Sequence, residues 1–199
     1  MIISHALRYV YIGIPRTGSK SMNRWLLDHF QGEWFGEHHA WNVPAEARDY
    51  FIFTIVRNPY DREMSAWHFI PWSAPEDRTP LPVSEFAAGM RGTAKYKDGT
   101  TIIEGHETPE VRMNQANYVA RAGVKHVLHF ERLPHCLTEL PFVVPNAVPP
   151  FPHRPERGVR PPGGFFDHFK NPEDEAAVWA YADDDFAAFG YRRYSDSLL

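Results

Sequence analysis

Apolar residues along this chain gather in short unbroken runs separated by stretches of helical spacing, and that rhythm predicts alternating strands and helices. Tyr9-Val10-Tyr11-Ile12-Gly13-Ile14 and Phe51-Ile52-Phe53-Thr54-Ile55-Val56 have almost no polar interruption, as expected of strands buried on both faces. The pattern predicts strands over Arg8–Ile14, near Glu33–Gly36, over Tyr50–Val56 and over His126–Phe130. Helices are expected over Ser19–Phe30 with Gly32 past the end, from Pro59 to about Phe69, and from Pro109, capped by Thr108, to Ala122 with Gly123 after it. A last helix is expected from Asn171-Pro172 to Gly190. Between them, Ile70–Pro82 reads as a loop, Glu85–Arg91 as a short helix and Lys95–Ile102, with its Asp-Gly pair, as a small hairpin. The proline series from Pro141 to Pro162 cannot pair inside a sheet and should wrap the surface. Strand-helix alternation implies an α/β fold: a single domain over residues 1–199 with a central, mainly parallel sheet flanked by helices, P-loop-like.

The first strand breaks into Pro15-Arg16-Thr17-Gly18-Ser19-Lys20-Ser21 before the first helix begins. A strand-to-helix turn needs only a glycine and a cap. Three hydroxyl residues (Thr17, Ser19, Ser21) and two cations (Arg16, Lys20) exceed that need. Amides at a helix N-terminus favour an anion through both their donors and the helix dipole, so the segment reads as a phosphate loop. It is not a Walker loop by spelling, because Ser19 stands between Gly18 and Lys20.

The second buried strand delivers Arg57, followed by Asn58-Pro59 as helix cap and first helical residue, with Ser65 about two turns along. Arg57 is thereby expected at the carboxyl edge of the sheet, where open α/β sheets bind ligands.

These segments resemble the sulfotransferases that use 3′-phosphoadenosine 5′-phosphosulfate (PAPS). In that family a loop spelled Pro-Lys-Thr-Gly-Ser/Thr-Thr-Ser/Trp holds the 5′-phosphosulfate, and Pro15 to Ser21 is similar to it. Val56-Arg57-Asn58-Pro59 with Ser65 resembles the family's second motif, which implies that Arg57 and Ser65 grip the 3′-phosphate. Gln115–Val119, Val127–Leu133, Asp185-Phe186 and Phe189-Gly190-Tyr191 resemble landmarks of the carbohydrate-type branch in the same order. The implied donor is PAPS, bound by Arg16, Thr17, Gly18, Ser19, Lys20, Ser21, Arg57 and Ser65, and the implied product is adenosine 3′,5′-bisphosphate. The acceptor is then a hydroxyl of a carbohydrate or other small molecule. A third partner of the 3′-phosphate is sought among Arg154, Arg157 and Arg160.

Composition narrows the partners. A count of 21 basic against 25 acidic residues gives a formal charge of −4, and without a basic run a nucleic-acid partner has no electrostatic support. With 199 residues, 43% of them hydrophobic, there is room for one core and no second domain. No apolar stretch reaches membrane-spanning length and no export signal opens the chain, so a cytoplasmic protein without a membrane partner is expected. The lone Cys136 agrees with a reducing compartment. Because many eukaryotic carbohydrate sulfotransferases carry a membrane anchor, the resemblance points to a bacterial or viral form.

Sulfuryl transfer develops negative charge on the leaving phosphate, which loop amides and the Arg16 guanidinium suit. Most of the family has Lys at the position of Arg16; Arg cannot readily hand over a proton, its pKa lying above about 12. Lys20 either supplies part of that role or is a solvated first-turn side chain. The acceptor hydroxyl needs a base, and in the resemblance His39 aligns best with the family's catalytic His, with His38 in reserve and Glu37 as the carboxylate alternative. Trp34, Trp41, Trp67 and Trp72 stand around the acceptor side, sugar stacking falling to Trp41 or Trp72, while Trp25 and Trp179 read as core. No metal site is expected: His126 and His129, three apart on a strand, face opposite sides. Two other readings stay open, a small P-loop kinase and a catalytically inactive nucleotide-binding homologue. The sequence leaves the oligomeric state undetermined.

Overall fold

The computed structural model describes residues 1–73, 114–152 and 172–193. The expected short helix at 85–91, the hairpin at 95–102, the Thr108-Pro109 helix start and Arg154, Arg157 and Arg160 lie outside the described residues. The chain divides into two compact units, Met1–Arg57 with Gln115–Pro155 and Asn58–Asn114 with Glu156–Leu199.

In the first unit a five-stranded sheet is built from β1 (Ile2–Ser4), β2 (Tyr9–Ile12), β3 (Glu33–Trp34), β4 (Phe51–Val56) and β5 (His126–His129), in the order β3-β1-β2-β4-β5. β2, β4 and β5 pair in parallel, while β1 runs antiparallel to both its neighbours. Four strands therefore point one way and β1 the other. The sheet is α/β and mostly parallel, but mixed, because β1, which the apolar pattern did not predict, turns back at residues 5–8 and inserts between β2 and β3. Arg8 makes that reversal with φ 53°.

Alternation sets the core. Tyr9, Tyr11, Phe53 and Ile55 point to one face and pack with Met22, Trp25 and Leu26 of α1 (Ser19–His29), with Cys136 and Leu137 of a 3-10 turn (His135–Glu139) and with Leu140 just after it. Val10, Ile12, Ile52, Thr54 and Val56 on the other face are buried as well, as parallel strands require. Gly32, after α1, is fixed by close approach: a Cβ there would stand 2.6 Å from Ile2 Cγ2 and 2.9 Å from the Tyr9 hydroxyl. A short α3 (Gln115–Ala122) buries Gln115, Tyr118 and Ala122. Its helix starts at Gln115, Asn114 standing outside it. The described part of the proline series holds a 3-10 turn, Pro145–Ala147, and no strand.

In the second unit α2 (Pro59–Ser73) packs on α4 (Pro172–Phe189) through Tyr60, Met64, Val178, Ala182 and Phe186. Asn58 Oδ1 accepts from the Tyr60 amide at 3.0 Å, which is the expected N-cap. α2 continues to Ser73, past the expected end near Phe69, so the first residues assigned to a loop at 70–82 are helical. α4 bends at Ala182 (φ −122°, ψ 22°) and Gly190 follows its end with φ 71°. Among the described residues no helix is long and apolar enough to cross a membrane.

Candidate functional site

Three parallel neighbours deliver the site. Ile12 of β2 pairs with Thr54 of β4, and Val56 of β4 pairs with His129 of β5. The residues that follow these strand ends, Gly13–Gly18, Arg57 and Phe130, are thus brought to one edge of the sheet, its carboxyl edge.

The loop holds its shape with its own polar groups. The Thr17 hydroxyl donates to the Ile14 carbonyl at 3.0 Å and is fully buried, so Thr17 closes the loop with its side chain and can offer a ligand only its amide. Gly18 precedes α1 in the left-handed region, φ 81° and ψ 15°, with no side-chain cap. Its carbonyl receives the Ser21 and Met22 amides at 3.0 and 3.1 Å. Ser21 therefore spends its N–H on the first helical turn, which narrows the expected cradle of Thr17–Ser21 amides to those ahead of Ser21. Helix-start amides that find no acceptor inside the helix face an anion with the dipole behind them. Ser19 is buried, Arg16 half-buried and Lys20 exposed.

Arg16 also adopts a left-handed backbone, φ 68°, uncommon for a residue with a Cβ. Its carbonyl accepts from Arg57 Nη1 at 3.3 Å. Arg57 is 6% exposed and is gripped at both ends. The buried Gln115 amide accepts from the Arg57 N–H and donates to the Arg57 carbonyl, both at 2.8 Å, and the Arg57 guanidinium lies 4.4 Å from the centre of the Phe130 ring. Gln115 and Phe130 were visible in sequence only as family landmarks. Their roles depend on the pairing of β4 with β5, which local pattern does not report.

The two candidate histidines are adjacent but chemically opposite. His39 Nδ1 lies 2.5 Å from the Gly13 carbonyl; a carbonyl can only accept, so Nδ1 carries the proton and Nε2 is the basic nitrogen. Asn23 Nδ2 donates to His38 Nδ1 at 3.4 Å, so the neutral His38 ring carries its proton on Nε2, which is buried without a partner among the described residues. Burial first, then the N-terminal ammonium and Lys20, lower the His38 pKa and keep that ring neutral. The rings meet edge to face at 4.3 Å. Glu37 is exposed.

Trp34 is half-exposed and its ring lies 5.4 Å from that of His38. Trp41 packs edge-on against Tyr118 at 5.9 Å, and the Arg121 guanidinium carbon lies 5.8 Å from the centre of the Trp41 ring. Trp25 is in the core, as expected, and Trp179 stacks on Phe186 at 4.7 Å in the second unit. The side chains of Trp67 and Trp72 lie outside the described residues. Ser65 is buried on α2, in the second unit, and its part in binding a nucleotide rests on the resemblance. Among the described residues no group of three or more His, Cys, Asp or Glu is placed to hold a metal ion. Cys136 donates weakly to the His129 carbonyl at 3.6 Å, and burial pushes its thiol up to about 11.

No protein-family model, no curated protein and no solved structure matches the chain.

Proposed function

We propose that this chain is a PAPS-dependent sulfotransferase of the P-loop-like sulfotransferase fold, acting on a hydroxyl of a carbohydrate or other small acceptor. The observation that carries the reading is the meeting of two anion-binding features at one sheet edge: the amide loop ahead of α1, and Arg57, whose guanidinium reaches the loop backbone at 3.3 Å. The loop suits a 5′-phosphosulfate because amides at the start of α1 face an anion with the helix dipole behind them. Arg57 suits a 3′-phosphate because the planar guanidinium presents parallel donors to paired oxygens.

In this chemistry a new bond forms between the acceptor oxygen and sulfur as the bond from sulfur to the 5′-phosphate oxygen breaks, leaving its electron pair on the phosphate. Loop amides and the Arg16 guanidinium hold the charge that grows there, without transferring a proton. His39 Nε2, the ring nitrogen without a proton when Nδ1–H is given to the Gly13 carbonyl, takes the acceptor proton. His38 is a poorer base, its Nδ1 lone pair already engaged by Asn23.

Calorimetric titration with adenosine 3′,5′-bisphosphate and with adenosine 5′-monophosphate tests the reading. Binding of the bisphosphate at least tenfold tighter supports it. Equal binding overturns the 3′-phosphate assignment, and a preference for ATP with Mg²⁺ over both would favour a kinase instead.

A further inference from the structure

We infer that Phe130 is a positioning residue that sets the spacing between the phosphate loop and Arg57; the nucleotide it serves rests on the function proposed above. One ring touches both features. A Cβ built on Gly18 would stand 2.9 Å from Phe130 Cε2 and 3.1 Å from Cδ2, so the ring edge fills the space beside the cap of α1. The same ring has the Arg57 guanidinium carbon 4.4 Å from its centre. Phe130 can do this because it follows His129, the end of β5, whose pairing with Val56 sets Phe130 beside Arg57 in register.

The chemistry of the contact matters for binding. Stacking on an aromatic ring occupies the face of a guanidinium, whereas its N–H donors lie in the plane. Phe130 therefore backs the Arg57 guanidinium on one side without taking a hydrogen-bond donor from it. Gln115 fixes the main chain of the same residue, and the Arg16 carbonyl fixes Nη1. A long side chain that is already ordered loses less freedom when it meets an anion.

Phe130→Leu keeps an apolar side chain but removes the ring; Phe130→Tyr keeps the ring. Calorimetry on the full chain should show adenosine 3′,5′-bisphosphate weakened about tenfold by Phe130→Leu with adenosine 5′-monophosphate unchanged, and wild-type binding of the bisphosphate in Phe130→Tyr. Loss of both nucleotides alike, or of neither, overturns the inference. A second readout is independent of any nucleotide: the Arg57 Nε–Hε resonance, assigned with Arg57→Lys, carries the ring current of Phe130 and should move in Phe130→Leu but little in Phe130→Tyr. An unmoved resonance in Phe130→Leu overturns the positioning role whatever the nucleotide does. Should wild-type protein fail to tell the two nucleotides apart while the resonance still moves, the positioning of Arg57 stands and the proposed donor falls.

Discussion

Arg57 and Arg62 are five residues apart in sequence, yet they belong to different units and solve the problem of a buried cation differently. Arg57 is met by a carbonyl, an aromatic face and the side-chain amide of Gln115 around its backbone. Those contacts orient the guanidinium. Arg62, on α2, is 2% exposed and sits with Glu63 (1% exposed) and, from α4, Asp185 (fully buried) and Tyr181, to whose hydroxyl it is hydrogen-bonded. Its Nη1 lies 3.8 Å from Glu63 Oε1. A buried charge is tolerated only when compensated: in the second unit carboxylates compensate it, and the pair of helices gains a polar lock. In the first unit the carbonyl and the ring set where the guanidinium lies, and under the proposed function it is the 3′-phosphate that would meet it.

The carboxylates around Arg62 outnumber it. Burial pushes Glu63 up to about 7, Asp185 adding to the rise and Arg62 opposing it, so this carboxyl carries a proton through much of the range where an exposed glutamate is ionised. The folded state then binds more protons than the unfolded state between the ordinary value of 4.5 and about 7. Stability from this group is full below 4.5 and is lost as pH rises through 7.

The contrast can be broken at several points. Arg62→Ala removes the buried cation that faces Glu63 and Asp185 and should cost about 3–5 kcal/mol of stability by urea unfolding. Preserved stability would show that the cluster is not a lock. Arg57→Ala should instead leave a folded protein that binds adenosine 3′,5′-bisphosphate about 10–100-fold more weakly, one charge-assisted contact being lost, with adenosine 5′-monophosphate unaffected. Glu63→Gln removes the titration and should flatten stability between pH 4.5 and 7, a gain over wild type of at least about 1 kcal/mol at pH 8 and little change at pH 4. Parallel pH curves for variant and wild type would refute the buried proton. Smallest in energy is the tautomer contrast: imidazole nitrogen NMR at pH 8 should show His39 protonated on Nδ1 and His38 on Nε2, and identical tautomers would remove the reason for preferring His39 as base.

Much of the architecture was legible because it is written locally. Unbroken apolar runs marked β2 and β4, the short stretch His126–Phe130 marked β5, and Asn58-Pro59, Gly123 and Gly190 punctuated helices where the structure ends or begins them. β1 was missed because a three-residue strand beside the chain start has too few positions to show a period, and its antiparallel course makes the sheet mixed. The bend at Ala182 has no Pro or Gly to announce it. In the site, Arg16–Ser21 and Arg57 were readable as candidates, and the structure brings them to one sheet edge, but what each group touches was not readable. That the Thr17 hydroxyl closes the loop, that His38 and His39 carry opposite tautomers, and that Phe130 touches both Gly18 and Arg57 all depend on partners 3 to 112 positions away. Nor does the spacing of Arg62 and Glu63, neighbours on a helix, announce that both are buried.

The most direct test is a crystal structure of the full chain with adenosine 3′,5′-bisphosphate. The account predicts the 5′-phosphate against the amides ahead of α1 and the 3′-phosphate on the Arg57 guanidinium, with Phe130 still stacked beneath it. A nucleotide bound with its 3′-phosphate turned away from Arg57, or with neither phosphate at the loop, would contradict it.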